Sequence, residues 1–298
     1  MEEDAEHSSA AEVARPKYRR LRDFGELTDA EQKLRDRAKD GVVCYFGKVA
    51  PKVDDIRNKE APQIRASFVR YLALGGCEQT AVHERGIWIQ GAIINGDLDF
   101  TACVDVRPIA LEYCLIDGRL ILREARTRTI NLDYSHLRGS QVTGSAVNKS
   151  HMAIEAKRAC VDGSVYCRRG FLAVGEVNFI EAEIKGSLEC HGGRFLHKDG
   201  DELEEADKEE NRIVLTCSRL KVGGSVFFQS ESKHEFVAKG QVRFQRAEIG
   251  GDLHCEGGSF IHPSKNALTF NRAKITGSVF LGRVADADKV TSFVDGIT

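Results

Sequence analysis

The chain has 298 residues, 42% of them hydrophobic, with 43 basic against 45 acidic side chains and a formal charge of −2. That length suits one elongated domain or two compact ones. The near-neutral balance excludes a global field that would draw the chain to nucleic acid or an anionic membrane, and no run of about 18 apolar residues offers a spanning helix.

Residues 1–25 are expected to form a flexible tail. The start, Met1-Glu2-Glu3-Asp4, is acidic and lacks the apolar stretch of a secretory signal, so a cytoplasmic location is expected. Nine cysteines without an export signal point the same way, toward reduced thiols. A basic cluster, Arg15, Lys17, Arg19, Arg20 and Arg22, reads either as a solvated arm or as a contact for phosphate or an acidic partner.

Residues 26–85 form an expected helical cap. Thr28 followed by Glu31 is a capping box, in which hydroxyl and carboxylate satisfy free amides at a helix start. That helix should run to Lys39–Asp40 and stop at Gly41. A second helix is expected to start at Pro62, to set Ile64, Phe68 and Leu72 on one face, and to end at Gly75-Gly76. Two short amphipathic helices cannot bury their apolar faces alone. They should dock on the open end of a larger body and cover its strand edges.

From residue 86 to 282 one pattern recurs eight times: apolar-x-apolar-x-x-small-x-aliphatic-x-Gly-x-aliphatic-x-apolar. Ile87 to Phe100 and Val177 to Cys190 are clear copies. The small position falls at Ala92, Cys114, Ser135, Ala159, Ala182, Leu220, Ala247 and Ala273. The glycine falls at Gly96, Gly118, Gly139, Gly163, Gly186, Gly224, Gly251 and Gly277. A repeat of this length predicts an all-β solenoid: a right-handed β-helix or pentapeptide-like rod of about eight coils, with a small N-terminal α-helical cap. At about 4.8 Å per coil the rod would be roughly 38 Å long. Alternation with period 2 continues across the glycine, which favours a β-helix-like coil over a regular square one. The glycine itself should mark a bend that needs positive φ or has no room for a Cβ. Residues 283–298 form a C-terminal tail or partial cap, which leaves one solenoid end open and predicts possible end-to-end homodimers.

The blocks FIEAEIKGSLECHGGRF and FQRAEIGGDLHCEGGSF and the upstream helix IRASFVRYLALGG carry a resemblance. They resemble a group of uncharacterised bacterial pentapeptide-repeat-like β-solenoid proteins with a short N-terminal helical segment. Longer relatives of that group are often labelled membrane-associated oxidoreductases. The resemblance covers most of residues 26–282. It implies a fold and brings no catalytic residues. The chain has no G-x-G-x-x-G motif after a strand.

In a solenoid, equivalent positions become neighbours, so a functional surface should appear as a column. The residue before the small one reads Gly91, Tyr113, Tyr134, Arg158, Glu181, Arg219, Arg246 and Arg272. Stacked like charges destabilise a sheet, so Arg158, Arg219, Arg246 and Arg272, flanked by Lys157, Lys221 and Lys274, are candidate binding residues for an anionic partner. Their alternative is to splay into water or to pair with Glu181 and Glu248. An acidic insertion, 197–211, carries eight carboxylates from Asp199 to Glu210. It reads as a tolerated loop, a contact for a basic partner, or a mask over the arginine column.

Cys167 and Cys190 share an inward position on adjacent coils, and Cys255 lies two coils on. In a reducing compartment they read as core fillers, with a redox or metal role as the alternative. His191 follows its cysteine whereas His254 precedes its own, so the two histidines should not stack. Asp97 and Asp99 on the first coil lie far along the axis from Asp252 and His254 on the seventh.

No catalytic residue, metal set or cofactor motif stands out. The expected function is therefore a non-catalytic rigid scaffold or interaction module that binds a macromolecular partner, a protein or other anionic macromolecule, through side-chain columns. One alternative is an enzyme acting on a carbohydrate or small substrate in a loop-built cleft, which a carboxylate pair with a shifted pKa would favour. Another is a nucleic-acid mimic that inhibits a DNA-binding protein, which would need acidic columns.

Overall fold

A computed structural model describes residues 20–52, 55–56, 61–141, 151–197, 212–262, 266–281 and 292–294. The acidic insertion, most of the N-terminal basic cluster and most of the C-terminal tail lie outside the described residues.

The solenoid is four-sided. Its strands stack into four sheets, all parallel apart from one short antiparallel pairing, Ser140–Gln141 with His151–Met152. We call the sheets A to D in the order the chain visits them. Coil 1 begins on sheet A at Ile87–Gln90, crosses to sheet B at Ile93–Asn95 and then to sheet C at Leu98–Asp99. Its passage through sheet D is the single bridge of Val106 to Thr127. Coils 2 to 7 begin at Ile109, Ile130, Val165, Leu188, Val226 and Leu253. Sheets A and B each gain two further strands. Cys44–Tyr45 and Gln63–Arg65 form a partial coil at the N-terminal end, and Val279–Phe280 and Ser292–Val294 form one at the C-terminal end.

The square section departs from the β-helix-like coil expected from the alternation. Residues such as Ile94, Gly96 and Leu98 keep period 2 through the corner between B and C, so the pattern hides the bend. The corners also divide what reads as one repeat. Gly96, Gly118 and Gly139 sit between sheets B and C, whereas Gly163, Gly186, Gly224, Gly251 and Gly277 sit between D and A. Ala92, Cys114 and Ser135 follow the A–B corner; the other five small residues follow the C–D corner. The pattern therefore occupies the first half of coils 1 and 2, both halves of coil 3 and the second half of coils 4 to 7, and the step from Ser135 to Ala159 lies within coil 3.

Core filling is balanced within coils 5 to 7. The inward column of sheet A reads Cys167, Cys190, Phe228, Cys255 over coils 4 to 7, and that of sheet B reads Ala173, Phe195, Ala238, Phe260. All eight are buried. In coils 5 to 7, where one sheet supplies phenylalanine, the other supplies cysteine or alanine, which keeps the section constant at close-packed density. The expected cysteine alignment is present, and all three thiols are free.

The cap follows its sequence signals with one correction. Helix α1 spans Asp29–Asp40; the Thr28 hydroxyl accepts from the Glu31 amide at 3.2 Å, and Gly41 ends it in the left-handed region. Helix α2 spans Ala66–Ala73 and does not begin at Pro62. Gln63–Arg65 instead pairs with Ile93–Asn95, because Ile64 completes the inward row of sheet B. Arg70 of α2 donates from Nε to the Asp99 carbonyl at 2.6 Å, which docks this helix on the first strand of sheet C. The end of the expected tail is also ordered: Leu21–Phe24 is a 3₁₀ turn whose Phe24 ring packs edge-on against Phe68 at 5.1 Å.

Candidate functional site

The corner between sheets C and D is built from a four-residue turn on every coil: Phe100–Cys103, Leu122–Ala125, Ala156–Ala159, Phe179–Ala182, Cys217–Leu220, Phe244–Ala247 and Phe270–Ala273. The amide of the fourth residue bonds to the carbonyl of the first. The third residue has φ between +55° and +58° and is never glycine: Ala102, Glu124, Arg158, Glu181, Arg219, Arg246 and Arg272. A side chain in this conformation costs about 1–2 kcal/mol. Part of the compensation comes from the amide of each such residue in coils 1 to 6, which donates to the next coil, as Arg219 does to Gln245 and Arg246 to Asn271, both at 2.8 Å.

This geometry confirms the alignment of Arg158, Arg219, Arg246 and Arg272 in one column but removes Gly91, Tyr113 and Tyr134 from it. Those three stand at the A–B corner, where the Tyr113 and Tyr134 rings stack at 4.3 Å. Glu124 takes their place below Arg158. It was legible in Leu122-Arg123-Glu124-Ala125, which repeats apolar-x-x-small, but it falls outside the glycine pattern because no glycine follows it.

Charge along the corner then divides in two. Arg158 pairs with Glu124 and Arg219 with Glu181, each across one coil step. The hydrogen bond from Arg158 holds the Glu124 carboxyl below its ordinary range. Arg246 and Arg272 are exposed and form no ion pair with any described residue; Glu248, the expected partner, does not reach them. Arg219, Arg246 and Arg272, with Ser218, Gln245 and Asn271, line a groove of about 310 Å³. The site thus narrows from four arginines to the upper three, two of them uncompensated.

Other candidate groups have partners within the rod, although one oxygen each of Glu155 and Glu256 is buried without a hydrogen bond. His254 lies between the rings of Phe227 and Phe280, at 4.8 and 4.6 Å, with Nδ1 at 3.0 Å from Glu256. His191 belongs to a neighbouring row and contacts Glu231 at 3.2 Å, so the two histidines do not stack. Burial lowers the His191 pKa, against the opposing pull of Glu231. On sheet C, Glu176 accepts from Thr216 at 2.8 Å and Asn178 at 3.0 Å, and burial raises its pKa. Glu155 stands on the neighbouring strand between Arg119 and Arg123, at 3.7 and 3.4 Å. Among the described residues, no three His, Cys, Asp or Glu side chains converge as a metal site, and no helix is long and apolar enough to cross a membrane.

Comparison with protein-family models, with curated proteins and with solved structures finds no match.

Proposed function

We propose that this chain is a non-catalytic rigid scaffold that docks an anionic macromolecular partner, most simply an acidic protein segment, on the C–D corner of coils 5 to 7. The observation that carries this reading is the pair Arg246 and Arg272, stacked one coil apart with no carboxylate partner among the described residues, beside a groove that also holds Arg219. Like charges at that spacing repel. An anion between them relieves the repulsion, and a planar guanidinium donates paired hydrogen bonds to carboxylate or phosphate oxygens. The parallel sheets hold the side chains on a stiff frame, so little freedom is lost on binding. Kinship with pentapeptide-repeat-like solenoids and a cytoplasmic location belong to the same proposal. The four-sided coil supports the first, and the free, stacked thiols of Cys167 and Cys190 support the second.

The test is binding of an acidic peptide and of a heparin-like polyanion to wild type and to R246E/R272E, by titration at several salt concentrations. The expected result is at least a tenfold loss for the variant and a salt slope reduced with it. Equal binding by both proteins would remove the corner as the site.

A second reading, an enzyme of carbohydrate or small-substrate chemistry, has one observation in its favour. Glu176, whose pKa is raised by burial, stands near Glu155, and two neighbouring carboxyls are what acid and base roles require. Hydrolysis of a chromogenic glycoside lost in E176Q would shift the balance toward it. End-to-end association is proposed separately, on the exposed Val279, Phe280 and Leu281 of the last coil.

A further inference from the structure

Sheet D carries a second charged surface that the function above does not use. Its outward row reads Glu183, Lys221, Glu248 and Lys274 on coils 4 to 7, paired strand to strand in register. All four side chains are exposed, and none forms an ion pair with a described residue, although each faces an opposite charge across the ladder. The row beside it is nearly bare: Lys185, then Gly223, Gly250 and Thr276. Together these residues line a shallow groove of about 360 Å³ floored by the two glycines.

The order of charges is minus, plus, minus, plus. Read in the opposite direction, it is the complement of itself. A two-fold axis just outside the face of the sheet, parallel to its strands, turns one rod antiparallel to another and sets coil 4 against coil 7 and coil 5 against coil 6. Glu183 of each copy then meets Lys274 of the other, and Lys221 meets Glu248, which gives four opposite-charge pairs in all. The bare row opposes Gly223 to Gly250, so the long side chains beside it have room to lie across the gap. Parallel rods would set Glu183 against Glu183 and Lys221 against Lys221. We propose that the chain forms a weak antiparallel two-fold dimer through sheet D, with a second copy of itself as the occupant of this groove.

The isologous arrangement is what a two-fold interface requires: the same patch on both copies, complementary to itself. Its strength is bounded by its size. Four coils at about 4.8 Å spacing and a strip roughly 10 Å wide bury far less than the roughly 1,200 Å² of a stable interface. The same operation brings Arg219 toward Arg246 of the other copy at the adjoining corner, a like-charge contact that further limits affinity. The inference does not depend on the anionic partner, whose arginines lie on the corner and not on the sheet.

The test is sedimentation velocity of the full chain from about 10 µM to about 1 mM, at low salt and again at several times physiological ionic strength. Wild type should show concentration-dependent dimer at low salt that dissociates at high salt. E248K, which turns two cross-interface attractions into repulsions, should weaken association at least tenfold. The swap K221E/E248K discriminates further. It puts like charges next to one another within each chain yet keeps every cross-dimer pair opposite, so dimer should persist. E183K/K274E makes the same exchange at the outer pairs and serves if the first swap disturbs folding, which circular dichroism reports. Wild type that stays monomeric at every concentration overturns the proposal. So does association unchanged in E248K, which would place the contact elsewhere, for instance at the terminal coil. Association lost in a folded swap variant also overturns it, because the ladder would then serve only the chain that carries it.

Discussion

Two kinds of corner residue set the local geometry, and both act through neighbours one coil away. Gly186 is not left-handed; a Cβ there would lie 2.3 Å from Ser164 Oγ and 2.8 Å from the carbonyl carbon of Gly163. Gly224 and Gly251 meet the serine and glycine below them in the same way. Of the two reasons the sequence allows for this glycine, absence of space applies at the D–A corner. Positive φ applies only at Gly96 and Gly139 on the other side. The residue after the glycine explains the recurrent serine. Ser187 N donates to Ser164 Oγ at 3.0 Å, Ser225 N to Ser187 Oγ at 3.2 Å, and Asp252 N to Ser225 Oγ at 2.9 Å, so each side-chain oxygen satisfies an amide on the next coil. Gly186→Ala should therefore lower stability by about 2–3 kcal/mol, the cost of overpacking against backbone that cannot withdraw. The midpoint of urea unfolding measures it, and a change below about 0.5 kcal/mol would contradict this account.

At the level of elements, the cap is tied to the rod by one ion pair. The Glu31 carboxylate is fully buried and accepts from Arg65 Nη2 at 2.6 Å, Nε at 2.7 Å and the backbone amide at 3.1 Å. Arg65 Nη1 also donates to the Phe24 carbonyl at 2.8 Å. A single guanidinium thus joins the 3₁₀ turn, α1 and the first strand of sheet B. Burial pushes the Glu31 pKa up, but the hydrogen bonds from Arg65 and Thr28 outweigh it, and the net shift is below the ordinary value of 4.5. A depressed folded-state pKa means that the unfolded chain takes up the proton first. The contribution is complete above about pH 4.5 and is lost as pH falls through the depressed value. Glu31→Gln should destabilise by roughly 3 kcal/mol at pH 7, because it leaves Arg65 without its carboxylate. The difference from wild type should shrink on acidification below pH 4.5. Thermal melts across pH 3 to 7 check this, and a gap that stays constant would assign the loss to packing alone.

Across the whole molecule, the strands of each coil pair only with those of the coils on either side, and the loop of coil 6 that sets His234 against Tyr134 of coil 3 is an exception, so stability is close to a sum of coil terms and interfaces. The same glycine substitution should then depend on its position. Gly277→Ala, where the Cβ would meet Asp252 Oδ1 at 2.2 Å, lies at the last corner of sheets D and A. It should unravel the terminal coil with little loss elsewhere. Gly186→Ala lies mid-rod and should lower the unfolding of coils on both sides. Hydrogen exchange reads the difference: protection lost only after Leu253 in the first variant, and from about Val165 onward in the second. Identical exchange patterns would mean that the rod unfolds as one unit.

The sequence by itself determined the solenoid, the limits of α1 and the inward cysteines, because each rests on local spacing. Thr28 and Glu31 cap α1 within one turn, and Gly41 ends it. Cys167 and Cys190 align because each lies a fixed distance from the glycine corner before it. Only the tertiary structure decided which corner each repeat occupies. Either half of a coil can carry the same pattern, and no local rule separates Gly118 from Gly163. For the same reason the column of eight residues divided, and Glu124 entered it without a glycine to announce it. Ile64 shows the limit most simply. Its spacing to Phe68 suits a helix, but a vacant position beside Ile94 on sheet B draws it into a strand. Neighbours one coil away, more than twenty residues apart in sequence, also decided which arginines stay free. Glu124 and Glu181 reach Arg158 and Arg219, and among the described residues no carboxylate pairs with Arg246 or Arg272.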